Sequence, residues 1–287
     1  MPNYYVSRRS TETQGFSVWT PPAGTLGALT DEAVARAATL KARARELQSE
    51  AKGRPPAPGF RDALRRSDVA IVAEVKRSSP SKGVINGELD LSDQTTAYEQ
   101  GGAAAISILT ESTRFGGSND DLVRARSYVR LPLLKKDFHV DVVQIWEARA
   151  LGASAALVIA RAVSPTVLDQ LVEAGRDVQL DIVVEVRDEA ELARALNAGA
   201  QIVGINNRNL ETLEIDPETA LRLLPRVPRE VVAIAESGVK SVEDVEAVAA
   251  SGADAVLVGS FLSASSDPQK AVESLTGVRR TFGARQG

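Results

Sequence analysis

At 287 residues, with 44% apolar and 25% charged side chains, the chain is long and apolar enough to bury a sizeable core, which rules out disorder as its main state. A formal net charge of -4 and an isoelectric point near 5.3 give nucleic acid and anionic membranes no long-range attraction, and no apolar run approaches the roughly 20 residues of a membrane span. The absence of cysteine excludes disulfides, thiolate metal sites and cysteine nucleophiles, while a lone histidine, His139, excludes a multi-histidine metal centre and would have to serve any Ser-His-acid triad. Lysines and carboxylates remain as the candidate catalysts of what is expected to be a soluble cytoplasmic protein.

The stretch from Met1 to Gly24 is polar, carries Arg8 and Arg9, lacks the apolar core of a signal peptide and shows no sustained period; it reads as a loosely attached arm. Asp31 to Ala51, rich in Ala, Leu, Arg and Glu, suits an amphipathic helix that Arg54-Pro55-Pro56-Ala57-Pro58-Gly59 stops. Residues 1–59 are therefore an N-terminal arm and helix packed on a catalytic unit of residues 60–287. In that unit short apolar runs alternate with helix-like segments. Val69–Val75, Ala104–Leu109, Leu133–Leu134, Ala155–Ile159, Ile182–Val186, Ile202–Ile205, Val231–Ala235 and Ala255–Val258 are the predicted strands, continuous enough in apolar character for a parallel sheet covered on both faces. Asp141–Leu151, Asp188–Leu196 and Ser241–Ala249 are among the predicted helices.

Gly102-Ala103, Gly152-Ala153, Gly199-Ala200 and Gly252-Ala253 precede every second strand, where a glycine can close a helix in the left-handed conformation and a small alanine lets the chain turn into the sheet. About four βαβα repeats closed into a ring give a (β/α)₈ TIM barrel with an N-terminal helical extension. An open doubly wound sheet is the other candidate, but no Gly-x-Gly-x-x-Gly turn follows the first strand.

Barrel active sites lie at the C-terminal ends of the strands, and the polar residues fall there. Glu74 and Lys76, two apart and so on one face, end the first strand; Lys136 ends the third, Glu185 the fifth; Asn206 and Arg208 follow the sixth, and Glu236 and Ser237 the seventh. Any one of these could be a solvated strand terminus. As a group they cannot, because charges among apolar strands cost several kcal/mol unless paired, so repeated Glu and Lys at one level mark a mutually compensating site. Ser237-Gly238 and Gly259-Ser260, after strands seven and eight, occupy the usual phosphate position of barrel enzymes, and Ser78-Ser79-Pro80-Ser81-Lys82-Gly83 could complete that pocket or close over it.

Glu74-Val75-Lys76-Arg77 with the serine-rich loop that follows, Ile108-Leu109-Thr110-Glu111, Phe115-Gly116-Gly117-Ser118, Lys136-Asp137-Phe138, Glu185-Val186, Gly204-Ile205-Asn206-Asn207-Arg208-Asn209-Leu210, Ala235-Glu236-Ser237-Gly238 and Val258-Gly259-Ser260 stand in order from about Phe60 to about Leu275. This ordered set resembles the indole-3-glycerol phosphate synthase family. The resemblance implies a lyase of tryptophan biosynthesis that converts 1-(2-carboxyphenylamino)-1-deoxyribulose 5-phosphate into indole-3-glycerol phosphate, CO₂ and water. It implies no cofactor, no metal and no protein partner beyond the small sugar-phosphate substrate. Lys136 would be the general acid at the sugar carbonyl, helped by a lowered pKa; Lys76 would hold the substrate carboxylate and assist dehydration. Glu185 and Glu74 would pair with the lysines and handle protons, while Glu236, Asn206, Arg208 and Ser237 would position substrate groups. Ser79, Gly238, Gly259 and Ser260 would bind phosphate, and Phe115 and Phe138 would wall the aromatic ring.

His139, Val143 and Arg187 differ from residues frequent in that family, but none is an implied catalyst. His139 is expected near the pocket mouth, as a loop or packing residue or as an influence on substrate choice, and Trp19 and Trp146 as packing or interface residues. The bare chemistry also fits a Schiff-base barrel aldolase on a sugar phosphate, while a catalytically silent scaffold would not need the whole charged set.

Overall fold

In the computed structural model, which describes residues 19–79, 83–87 and 89–285, the apolar runs become the staves of a closed parallel barrel. They are β1 (Ala70–Val75), β2 (Ala105–Leu109), β3 (Leu133–Lys136), β4 (Ala155–Ile159), β5 (Asp181–Val186), β6 (Ile202–Asn206), β7 (Val232–Glu236) and β8 (Ala255–Val258). Each pairs with the next, and β1 closes the ring by pairing with β8 through Ala70–Ala255 to Ala73–Val258, which removes the open-sheet alternative. Every strand residue is buried except Asp181, where β5 begins, and Lys136, where β3 ends. Side chains facing inward fill the barrel and those facing outward meet helices, so the strands read as unbroken apolar runs rather than alternating ones.

The strands lie within a residue or two of their predicted ends, and helices alternate with them. Asp141, Asp188 and Ser241 cap the helices Val142–Ala150, Glu189–Asn197 and Val242–Ala250 by accepting backbone N–H bonds. The four repeated glycines have φ of 90°, 93°, 78° and 100° at 102, 152, 199 and 252. After each, the alanine N–H donates to the carbonyl five residues back, at 3.0–3.1 Å, a Schellman-type closure that turns the chain into β2, β4, β6 and β8.

The N-terminal helix differs from expectation. It starts at Gly24 rather than Asp31, runs to Leu40, and passes through a 3₁₀ turn, Lys41–Arg43, into a second helix, Ala44–Gly53. Leu26, Leu29 and Ala33 join the barrel core; Ala37 and Leu47 form a smaller cluster with Val143, flanked by Trp146. Most of the predicted arm lies outside the described residues, but its last residues are tied down: the Trp19 indole donates to the carbonyl of Arg161, and the Arg161 guanidinium to that of Thr20. Among the described residues no helix is long and apolar enough to cross a membrane.

Candidate active site

Five strands deliver charge to one end of the barrel. Glu74, on β1, and Lys76, just past it, form an ion pair at 2.6 Å. From β3, the Lys136 Nζ stands 3.4 Å from Glu236 on β7, 3.7 Å from Glu185 on β5 and 4.0 Å from Glu74. Asn206, at the end of β6, donates to the second Glu185 oxygen at 2.9 Å, and its own oxygen accepts the backbone N–H of Arg208. The three carboxylates are almost fully buried. Glu185 Oε2 and Glu236 Oε1 have no hydrogen-bond partner among the described residues, so each retains an accepting site.

The electrostatics of this cluster reverse one expectation. Burial disfavours the Lys136 ammonium, but Glu236, Glu185 and Glu74 outweigh that effect and raise its pKa above that of an ordinary lysine rather than lowering it. Burial likewise opposes the Glu74 carboxylate, yet Lys76 and Lys136 prevail and hold it below its usual value. Glu236 goes the other way: burial, opposed by Lys136 but reinforced by Glu185 and Glu74, pushes it up to about 8. Burial thus biases Glu236 towards its protonated form, which leaves less negative charge for Lys76 and Lys136 to compensate.

Two glycines make room for these groups. A methyl at Gly204 in β6 would stand 2.1 Å from Glu236 Oε1, and one at Gly259 after β8 would stand 2.4 Å from Glu74 Oε1 and 3.3 Å from Lys76 Nζ. Gly259 thus has a second task beside the one expected of it, admitting the Glu74–Lys76 pair.

The charged floor joins two cavities. One is apolar, with Leu109, Phe115, Phe138, Leu157 and Ile159 in its walls and the two phenylalanine rings 6.3 Å apart at 40°. The other has Ser237, Gly238, Lys240, Gly259 and Ser260 in its walls beside Val239, Leu257 and Phe261; Ser237 and Ser260 line both. Ser237 has a φ of 65° and Gly238 one of 100°, so the first of them holds a conformation unusual for a residue with a side chain, as strained residues at functional sites do. Arg208 lines both cavities; burial lowers its pKa, its Nη1 donates to the Leu213 carbonyl at 2.9 Å, and it has no carboxylate partner among the described residues. Ser79 lines the first cavity together with Ser237 and Ser260, and its buried hydroxyl has no partner among the described residues. Pro80, Ser81 and Lys82 of its loop lie outside the described residues.

The family model of indole-3-glycerol phosphate synthase matches residues 28–275. The chain belongs to that family. It is 46% identical over 237 residues to "Indole-3-glycerol phosphate synthase 1" of Streptomyces coelicolor, covering 83% of this chain and 88% of that one. A synthase of the same name from Mycolicibacterium vanbaalenii is also 46% identical, over 80% of this chain and 85% of its own. Among solved structures, a thiamine phosphate pyrophosphorylase from Pyrococcus furiosus aligns with a TM-score of 0.57 at 16% identity, over 76% of this chain and 96% of that one. "Native KDPGal structure" aligns with a TM-score of 0.53 at 17% identity, over 73% and 94%. At such identities these two share the fold alone. The activity of the chain is that of its family, a carboxy-lyase forming indole-3-glycerol phosphate.

Several residues that shape this family member's site had no role in the sequence reading. Thr25 and Leu29, from the N-terminal helix, line the apolar cavity. Glu111, buried after β2, accepts the backbone N–H groups of Thr113, Arg114 and Phe115 at 2.9, 2.7 and 3.1 Å and so folds the loop that presents Phe115. Only its place in a motif pointed to it. His139 is not at the mouth: it is 1% exposed and lines neither cavity, its Nδ1 lies 2.6 Å from the Leu157 carbonyl, and burial, with Lys135 nearby, depresses its pKa to about 4. It is a packing residue.

Proposed function

We propose that the cluster around Lys136 divides the synthase reaction among its members. What carries the reading is one observation: the Lys136 ammonium stands among three carboxylates on the floor where an aromatic-walled cavity meets a serine- and glycine-lined one. A substrate with a benzoate ring at one end and a sugar phosphate at the other fits that order, with its reacting carbons over the lysine.

The amine lone pair makes the ring carbon that bears the carboxylate nucleophilic, and this carbon attacks the sugar carbonyl. The carbonyl oxygen becomes an alkoxide, a stronger base than any amine, so a lysine with a raised pKa still surrenders its proton to it and stabilises its charge beforehand. Loss of CO₂ restores aromaticity, and loss of the hydroxyl as water completes the indole. Lys76 holds the carboxylate and assists dehydration. Glu185, with Asn206 fixing one oxygen and the other 3.7 Å from the Lys136 ammonium, handles protons in that step together with Glu74. Glu236, biased by burial towards its protonated form, donates a hydrogen bond to a substrate oxygen. Arg208 and Ser237 position the substrate; Gly238, Gly259, Ser260 and Ser79 supply phosphate contacts; Phe115 and Phe138 hold the ring.

In this proposal residues 60–287 form the catalytic barrel, residues 1–59 an N-terminal part that adds one wall to the cavity, and the enzyme works in the cytoplasm on a small molecule without a cofactor or partner protein. The test is fluorescence detection of indole-3-glycerol phosphate from the unsubstituted substrate with EDTA present. Sustained turnover is expected; covalent trapping of Lys136 by borohydride would favour an aldolase instead.

A further inference from the structure

The N-terminal helix touches the apolar cavity directly through Thr25 and Leu29, and two turns further on it sends Arg36 to the chain segments that carry the phenylalanines. The Arg36 guanidinium donates to Asp137 Oδ1 at 2.8 Å and stands 3.8 Å from Glu111 Oε1. Glu111 gathers three N–H groups ending at that of Phe115; Asp137 accepts the N–H of Phe138 at 2.8 Å and the Thr110 hydroxyl at 2.7 Å, with Lys135 at 3.3 Å. Both carboxylates are buried, whereas the Arg36 side chain is 32% exposed. A second tie, Arg114 to Glu32 at 2.8 Å, joins the same helix to the Phe115 loop.

Neither carboxylate depends on Arg36 for its burial, since each has other donors. What Arg36 adds is one cation shared by both: it hydrogen-bonds Asp137, lies within ion-pair distance of Glu111, and so anchors both carboxylates to a helix distant in sequence. We propose that Arg36 is a positioning residue that locks the helix, the Phe115 loop and the Phe138 segment into one wall of the ring-binding cavity. This rests on the reading that the substrate ring lies between the two phenylalanines. Arg36 touches no reacting atom; it sets how well the ring is held, and so acts on binding of the aromatic end and not on phosphate capture or on Lys136.

The experiment compares Arg36→Met, which keeps the aliphatic stem, and Arg36→Lys with the wild type. Affinities for indole-3-glycerol phosphate and, separately, for inorganic phosphate are measured by titration calorimetry, alongside KM and kcat. Arg36→Met is expected to weaken product binding and raise KM about tenfold, to change kcat less than about threefold and to leave phosphate affinity unchanged. Arg36→Lys, able to reach Asp137 but without a second arm for Glu111, should recover part of the loss, and it carries the same comparison if the methionine variant does not fold. Product and phosphate affinities falling together would make Arg36 a general stabiliser and overturn the proposal, as would an unchanged KM. Failure of the wild type itself to bind the product would instead bring down the reading of the cavity on which the proposal stands.

Discussion

The two ends of the barrel hold buried charges under opposite rules. At the N-terminal end Asp254, 1% exposed, accepts two bonds from Arg285 at 2.7 and 2.8 Å, another from Arg280, and the backbone N–H of Ala233 at 2.7 Å. Arg285 spends a further N–H on the Val231 carbonyl, so the C-terminal tail is bolted to the floor. At the C-terminal end, Lys136 stands at 3.4 to 4.0 Å from three carboxylates, and one oxygen each of Glu185 and Glu236 has no hydrogen-bond partner among the described residues. Both ends bury ionised groups. One uses its hydrogen-bonding capacity fully to hold the fold; the other leaves it partly open for a substrate to complete.

If that contrast is right, removing the central charge at each end should fail in different ways. Lys136→Ala should cost about 10²–10⁴-fold in kcat, the usual loss of a positioned acid, while the circular dichroism spectrum stays native. Asp254→Ala strands two arginines beside a buried backbone N–H and should lower unfolding free energy by about 3–5 kcal/mol in urea titrations, with kcat changed less than about twofold below the melting temperature. An activity loss without a stability loss in Asp254→Ala would break the comparison. Glu185→Gln keeps the shape of the side chain and its contact with Asn206, so binding should survive while single-turnover chemistry falls about 10²-fold; a drop below about tenfold would reduce Glu185 to charge balance.

The smallest effect tests whether strain from buried charge extends beyond the site. Glu191, next to the top of β5, is pushed up to about 7 by burial and by Asp188. An acid whose pKa is higher folded than unfolded gives its full stabilisation below the unfolded value, and this is lost as pH rises through the folded one. The wild type should therefore lose about 3 kcal/mol between pH 4.5 and pH 8 relative to Glu191→Gln, read as diverging urea midpoints. Parallel midpoints across that window would refute it.

The barrel was legible because its signals are local. Continuous apolar runs marked all eight strands, and the four glycine–alanine pairs marked their turns, since a left-handed closure demands glycine whatever the distant environment. The convergence of Glu74, Lys76, Lys136, Glu185 and Glu236 followed from strand ends and the rule for barrels. The direction of the Lys136 shift did not, because it depends on three carboxylates from three other strands and their distances. Thr25 and Leu29 were hidden for a related reason: their helix begins seven residues before the helix-like composition that starts at Asp31, and only tertiary packing brings it over the cavity. Lys135 and Lys136 are chemically alike and adjacent; strand alternation sends the first outward to Asp137 and Glu147 and the second inward.

Gly204 carries the least chemistry of any residue near the site, yet it decides where an acid stands. Because Glu236 Oε1 occupies the space in which any other residue would place its first carbon, the Glu236 carboxyl group can reach the charged floor only while position 204 remains bare. For anyone reshaping this barrel towards a new reaction, that makes one methyl group a tuning screw: it would re-aim a proton donor without replacing a single ionisable residue, and a survey of mutations confined to the polar residues would never find it.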